Sequence, residues 1–331
     1  MSVNEFKQQL FDAVLELLWR QWSQLGISGQ ISTDGTSYVL DPEVLLIFST
    51  RFGRYDQRLY DLILDWLRLN GSAINIQRLK TLAGNCRFKD LPSLGYLAAQ
   101  MQLADGNRWK KPATDFLPAP VETPVPMFLS PGNGRTNFIR RQDELAAQYG
   151  FLRDAYVPSG KVTPYPVDDV PALLLRTRGL FGVSARAETI LILLDKGICR
   201  IQDIADRTGF AWKSIQDVLT EMIAAGFVAA RSGEKRGKYY LLKAPEKVKA
   251  LLNIENCRFP DWKNLFDALG ILWETVSNPR LAALSEATFR SELERVFEES
   301  VGNALLCAEF KELQCPDAES LLTLPEILKR I

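Results

Sequence analysis

"IQDIADRTGFAWKSIQDVLTEMIAAGFVAARSGEKRGKYYLL" runs from Ile201 to Leu242, and its reading decides the fold of the middle of the chain. Ile201, Ile204 and Ala205 share one side of a first short segment that Gly209 ends, so a helix is predicted over 201–208. A second helix is predicted over 211–225. Its residues Ile215, Val218, Leu219, Met222 and Ile223 form an unbroken apolar stripe, and Gly226 terminates it. The other face presents Trp212, Lys213, Ser214, Gln216, Asp217 and Thr220. "FVAAR" and "KYYLL" are β-prone runs on either side of the polar, glycine-containing "SGEKRG", a pattern that predicts a hairpin. A further helix is predicted over 184–196. The order is therefore helix, helix, helix, hairpin.

This order resembles the winged helix-turn-helix module of bacterial transcription regulators of the arsenic-repressor and multiple-antibiotic-resistance-repressor type, over residues 172–245. In such modules the second helix of the pair enters the DNA major groove with its N-terminal residues toward the bases. Carried over by position, the resemblance implies that Trp212, Lys213, Ser214, Gln216 and Thr220 face the groove. Gln216 would pair with an adenine edge, and Lys213 with guanine or a phosphate. Arg231, Lys235, Arg236 and Lys238 of the hairpin, and Arg207 before the turn, would meet the phosphate backbone. Asp217 departs from this pattern, because a carboxylate on the groove face repels phosphate.

Charge agrees in sign. Lys and Arg together number 40, as do Asp and Glu, so diffuse polyelectrolyte binding is excluded and any nucleic-acid face must be local. Residues 184–243 carry 10 basic and 7 acidic residues, whereas residues 244–331 carry 10 and 15. The excess positive charge thus falls on the segment that contains the helix pair.

Four regions are expected around this reading. Residues 1–110 read as an N-terminal helical domain. Phe6, Leu10, Val14, Leu18 and Trp22 stripe its first helix, and "DPE" at 41–43 is a cap, a first-position proline and a dipole-favoured acid. Ten of the 17 prolines fall between Pro112 and Pro171, so residues 111–171 are expected to be an extended linker or strap, with helix excluded from "KKPATDFLPAPVETPVPMFLSPGNG" and a short helix allowed over 135–155. Residues 172–245 are the helix–hairpin module. Residues 246–331 form a C-terminal helical domain whose Trp262, Phe266, Leu269 and Trp273 read as core. An echo of "IQDIADRTG" (201–209) occurs as "IQRLKTLAG" (76–84), so a second, degenerate helix-turn-helix in the N-terminal domain is an open alternative to chance similarity.

The chain has no histidine, which excludes Ser-His-Asp and Cys-His catalysis and histidine-based zinc sites. No P-loop pattern occurs. The five cysteines include no C-x-x-C pair and are read as reduced thiols. The expectation is a mainly α, multi-domain, cytoplasmic protein, not an enzyme and without a cofactor or metal. It would regulate transcription by binding double-stranded DNA as a homodimer, since one module buries too little DNA surface for strong specificity. The rival reading is an interaction component, antitoxin-like or an adaptor, that docks a protein partner. "YVLDPEVLLIFSTRFGRYDQRLYDLILDWL" (38–67) is similar to bacterial proteins of that kind, some of them paired with nucleotidyltransferases.

Overall fold

The computed structural model describes residues 2–29, 38–129, 139–232, 237–281, 285–313 and 315–331, and it is mainly helical. Helix α1 (Val3–Gln24) opens with a capping box, Ser2 and Glu5 each accepting from the other's backbone amide. The stripe Phe6, Leu10, Val14, Leu18 and Trp22 is fully buried. Helices α2 (Pro42–Phe52), α3 (Gln57–Asn70), α4 (Ile76–Asn85), α5 (Leu91–Asp105) and α6 (Lys110–Asp115) follow. The "DPE" start behaves as its chemistry requires: Asp41 Oδ1 accepts from the Val44 amide at 3.2 Å and Pro42 is the first helical residue. Helix α6 corrects one expectation, because it contains Pro112. The proline lies in the first turn, where its missing amide forfeits no intrahelical bond.

The described remainder of the proline-rich region forms a strap across the helical body. Its strand β1 (Val125–Pro126) pairs in parallel with β2 (Phe151–Leu152), which follows the short helix α7 (Glu144–Gln148). Arg54 holds the strap through Met127 O at 2.7 Å and Pro126 O at 3.2 Å. Met127 is fully buried and Phe128 packs edge-on to Tyr60. Leu117 is half exposed.

The opening stretch forms the elements expected of it. Helices α8 (Leu173–Phe181) and α9 (Ala185–Lys196) precede α10 (Ile201–Thr208) and α11 (Trp212–Ala224). Strand β3 (Val228–Ser232) then pairs antiparallel with β4 (Lys238–Leu242). Cys199 and Tyr240 exchange backbone hydrogen bonds at 3.0 and 2.8 Å, which pins the start of α10 to the hairpin. Ile215, Leu219 and Met222 are buried beneath α11, whereas Ile223 is largely outside the core. Helix α12 (Pro245–Leu251) follows.

The C-terminal helices are α13 (Trp262–Val276), α14 (Glu286–Val296), α15 (Gly302–Ala308) and α16 (Leu324–Leu328). They share a core with the N-terminal helices, so the boundary expected between residues 1–110 and 246–331 is crossed throughout. Phe266 stacks on Phe48 at 4.3 Å, Trp273 packs on Phe11, Phe52 and Tyr55, and Trp262 donates to Val39 O at 2.7 Å. Arg20 of α1 caps α16 by donating to the carbonyls of Leu328 and Lys329.

A buried charge cluster joins this body to the middle helices. Glu43 accepts from Arg178 at 2.7 and 2.8 Å and from Arg78 at 2.6 Å; Arg78 also pairs with Asp41, and Arg178 with Glu188. Burial would raise the Glu43 carboxyl, but Arg178 and Arg78 outweigh it and hold it below its ordinary value.

Candidate nucleic-acid interface

The outer face of α11 is set by its inner one. With Ile215, Leu219 and Met222 fixed in the core, the helical period turns Trp212, Lys213, Ser214 and Thr220 to the surface and leaves Gln216 half-buried. No side chain caps the helix at Ala211. Trp212 is 47% exposed, a large apolar surface for a first-turn residue.

Beside this face runs a groove of about 350 Å³. Trp212 and Gln216 of α11 line one wall, and Gly237, Lys238 and Tyr240 of the hairpin line the other. Arg200 and Gln202 at the start of α10 close one end. The structure therefore brings together three of the residues singled out in the sequence, Trp212, Gln216 and Lys238. Arg231 is exposed on β3, directly opposite Tyr239. Lys235 and Arg236 lie outside the described residues.

Arg200, Gln202 and Tyr239 are members of this groove region that the sequence reading missed. The Arg200 guanidinium lies 4.8 Å from the Tyr239 ring centre and donates to the Tyr239 hydroxyl. That hydrogen bond raises its pKa, so the group stays cationic. The signal available was position: Arg200 immediately precedes "IQD", where a helix N-terminus meets the hairpin, but nothing in the spacing of α11 points to it.

Three residues sit differently from their expected roles. Lys213 pairs with Asp217 one turn on, at 2.8 Å, so the expected repulsive acid instead neutralises the cation of this face. Both groups are exposed, and a pair of this kind is worth little and exchanges readily. Thr220 donates its hydroxyl to Gln216 O at 2.8 Å. Arg207 turns away from the groove and pairs with Glu309 at 2.8 Å, beside Lys196. Burial would raise the Glu309 carboxyl, but Arg207 and Lys196 overcome that and hold it low.

Among the described residues no group of three or more Cys, Asp or Glu side chains is placed to hold a metal ion. Cys86, Cys199 and Cys257 are buried free thiols pushed up by burial to about 12, 11 and 12. Among the described residues no helix is long and apolar enough to cross a membrane. Compared with family models, curated proteins and solved structures, the chain gives no match.

Proposed function

We propose that the protein is a DNA-binding regulator in which α8 to β4 act as a winged helix-turn-helix. Helix α11 enters the major groove and the β3–β4 hairpin serves as the wing. One observation carries the reading: one groove is lined together by the amide of Gln216, the cations Arg200 and Lys238, and the exposed Trp212. An amide reads adenine through two hydrogen bonds, and guanidinium and ammonium groups hold phosphates, so both kinds of contact are available from one groove. The uncapped first turn of α11 offers backbone amides to the same phosphates. A homodimer would double the contact and set a half-site spacing.

The test is selection of the full-length protein on random duplexes, followed by binding at several salt concentrations. Enrichment of one sequence, with affinity that falls as salt rises, is the expected result. Failure to enrich any sequence, with no binding at low salt, would overturn it.

A second reading, that this face docks a protein partner, is favoured by one specific feature. Lys213 and Asp217 cancel on α11, leaving Trp212 as an apolar knob on a nearly neutral helix face. Under that reading Trp212 is the anchor of a protein interface, and its replacement by alanine abolishes capture of the partner while leaving duplex binding absent in both forms.

A further inference from the structure

On another side of the same module lies a second cavity, of about 210 Å³, with no role in the groove just described. Its floor is made by Ile190 of α9, Met222 of α11, Leu242 of β4 and Val248 of α12, all buried. Its lips include Phe227 and Leu251, which are 55% and 59% exposed. These two side chains carry the apolar lining of the hollow out to the surface. Among its described lining residues the charged ones are Arg186 and Glu221, and these pair with each other across the rim.

We propose that this cavity is a binding site for a small uncharged apolar molecule of aromatic-ring size. Size sets the class: an enclosed apolar cavity of about 150 Å³ takes up benzene, and this hollow of about 210 Å³, open at its lip, has room for a ring with one or two added carbons. Charge sets the rest. The rim cation and the rim anion pair with each other at the solvent-exposed edge, so neither charge reaches into the hollow, and a charged ligand would carry its desolvation cost into apolar walls. The space was invisible in the sequence because its four floor residues come from four different elements, each reading as ordinary core.

Met222 makes the site directly observable. The chain has four methionines. Of these, Met101 and Met127 are buried elsewhere, while Met222 lines the cavity. The experiment is a methyl NMR titration of the full-length protein, labelled at the methionine methyl groups, with toluene as the neutral probe and benzoate as the charged one. Met222→Leu identifies the reporting signal. Toluene is expected to move the Met222 signal saturably and to leave Met101 and Met127 in place. Benzoate is expected to bind at least about tenfold more weakly. Ile190→Phe fills the hollow and abolishes the toluene shift. Should that variant lose its fold, Leu251→Asp at the exposed lip weakens toluene binding without entering the core. An unmoved Met222 signal, or equal shifts at all three buried methionines, overturns the proposal. So does tighter binding of benzoate, which would show that Arg186 releases Glu221 to take an anion. A Met222 shift that follows protein concentration alone also overturns it, the occupant then being a second copy of the chain. None of these readouts requires DNA, so they stand apart from the fate of the regulator reading.

Discussion

Arg78 of α4 donates from Nε to the carbonyl oxygen of Thr208, the last residue of α10, at 2.7 Å. One side chain thus caps the last carbonyl of the first helix of the pair and, through its other nitrogens, binds Asp41 and Glu43 at the start of α2. The segments 76–84 and 201–209, which echo each other in sequence, meet at this point. The orientation of the module relative to the helical body is fixed by a buried ion cluster rather than by apolar packing alone. Removing one partner from such a cluster strands the others in a low-dielectric interior. Arg78→Met is expected to destabilise the protein by about 3–5 kcal/mol in chemical denaturation. A loss within measurement error would show that water or a rearranged partner reaches Glu43.

The same cluster sets an acid dependence. The folded-state pKa of Glu43 is depressed below its ordinary 4.5, so its contribution is fully present above that value. It is lost as pH falls from there through the folded value. Melting temperature is expected to drop across this acid window, and to drop less steeply in Arg78→Met, which removes one of the two guanidiniums that depress Glu43. Parallel curves for the two proteins would count against Arg78 as a cause.

Gly209 occupies the left-handed region at φ +72°, and a Cβ placed there would lie 2.7 Å from Leu82 of α4. Two independent costs therefore attach to Gly209→Ala, backbone strain and the clash, together about 1–3 kcal/mol. Only the clash depends on Leu82. In a double-mutant cycle with Leu82→Ala, part of the Gly209→Ala cost is expected to vanish. Strict additivity would mean that the close approach does not constrain the turn.

The strap from Phe116 to Leu129 should resist limited proteolysis as long as Arg54 holds it. Arg54→Ala removes hydrogen bonds to Met127 O and Pro126 O and an ion pair with Asp90. Cleavage near residues 117–124, where Leu117 and Val121 are exposed, is expected to appear in the variant well below its unfolding transition. Equal resistance of the two proteins would assign the order of the strap to Met127 and Phe128 instead.

Local periodicity carried much of this fold. The stripes of α1 and α11, the cap at Asp41 and the hairpin all follow from spacing within one segment, because burial of one helical face or one strand pair is written in consecutive residues. What did not follow is how segments share partners. Phe48 stacks on Phe266 across more than 200 residues of chain, so residues 1–110 and 246–331 were expected as separate bodies although each lacks the other half of its core. Arg207 shows the same limit at the site. Its sequence position fits a phosphate contact, and only the return of Glu309 from the far end of the chain assigns it elsewhere. Arg200 is the converse, an unremarked cation that the hairpin turns into a wall of the groove.

The interface makes a graded prediction for DNA. If the proposed face binds DNA, Arg200 and Lys238, which line the groove, and Arg231 on β3, all exposed, should act on phosphates, so changing each to glutamine is expected to weaken binding to every sequence alike. Each phosphate that is no longer neutralised should lower the slope of log affinity against log salt by about 0.9. Arg207→Gln is the control. Its partner is Glu309, so it should leave the slope unchanged while loosening the packing between α10 and the C-terminal helices. Gln216→Ala should behave differently again, costing about 1–3 kcal/mol on the selected site and nearly nothing on unrelated duplex. Lys213 tests the geometry most sharply. If Asp217 holds it away from DNA, Asp217→Asn frees the ammonium and increases affinity and salt slope together; if Lys213 already leaves Asp217 on binding, Asp217→Asn raises affinity without changing the slope. A slope that falls with Arg207→Gln but not with Lys238→Gln would place the phosphates on the opposite side of α10, and the winged-helix orientation would have to be abandoned.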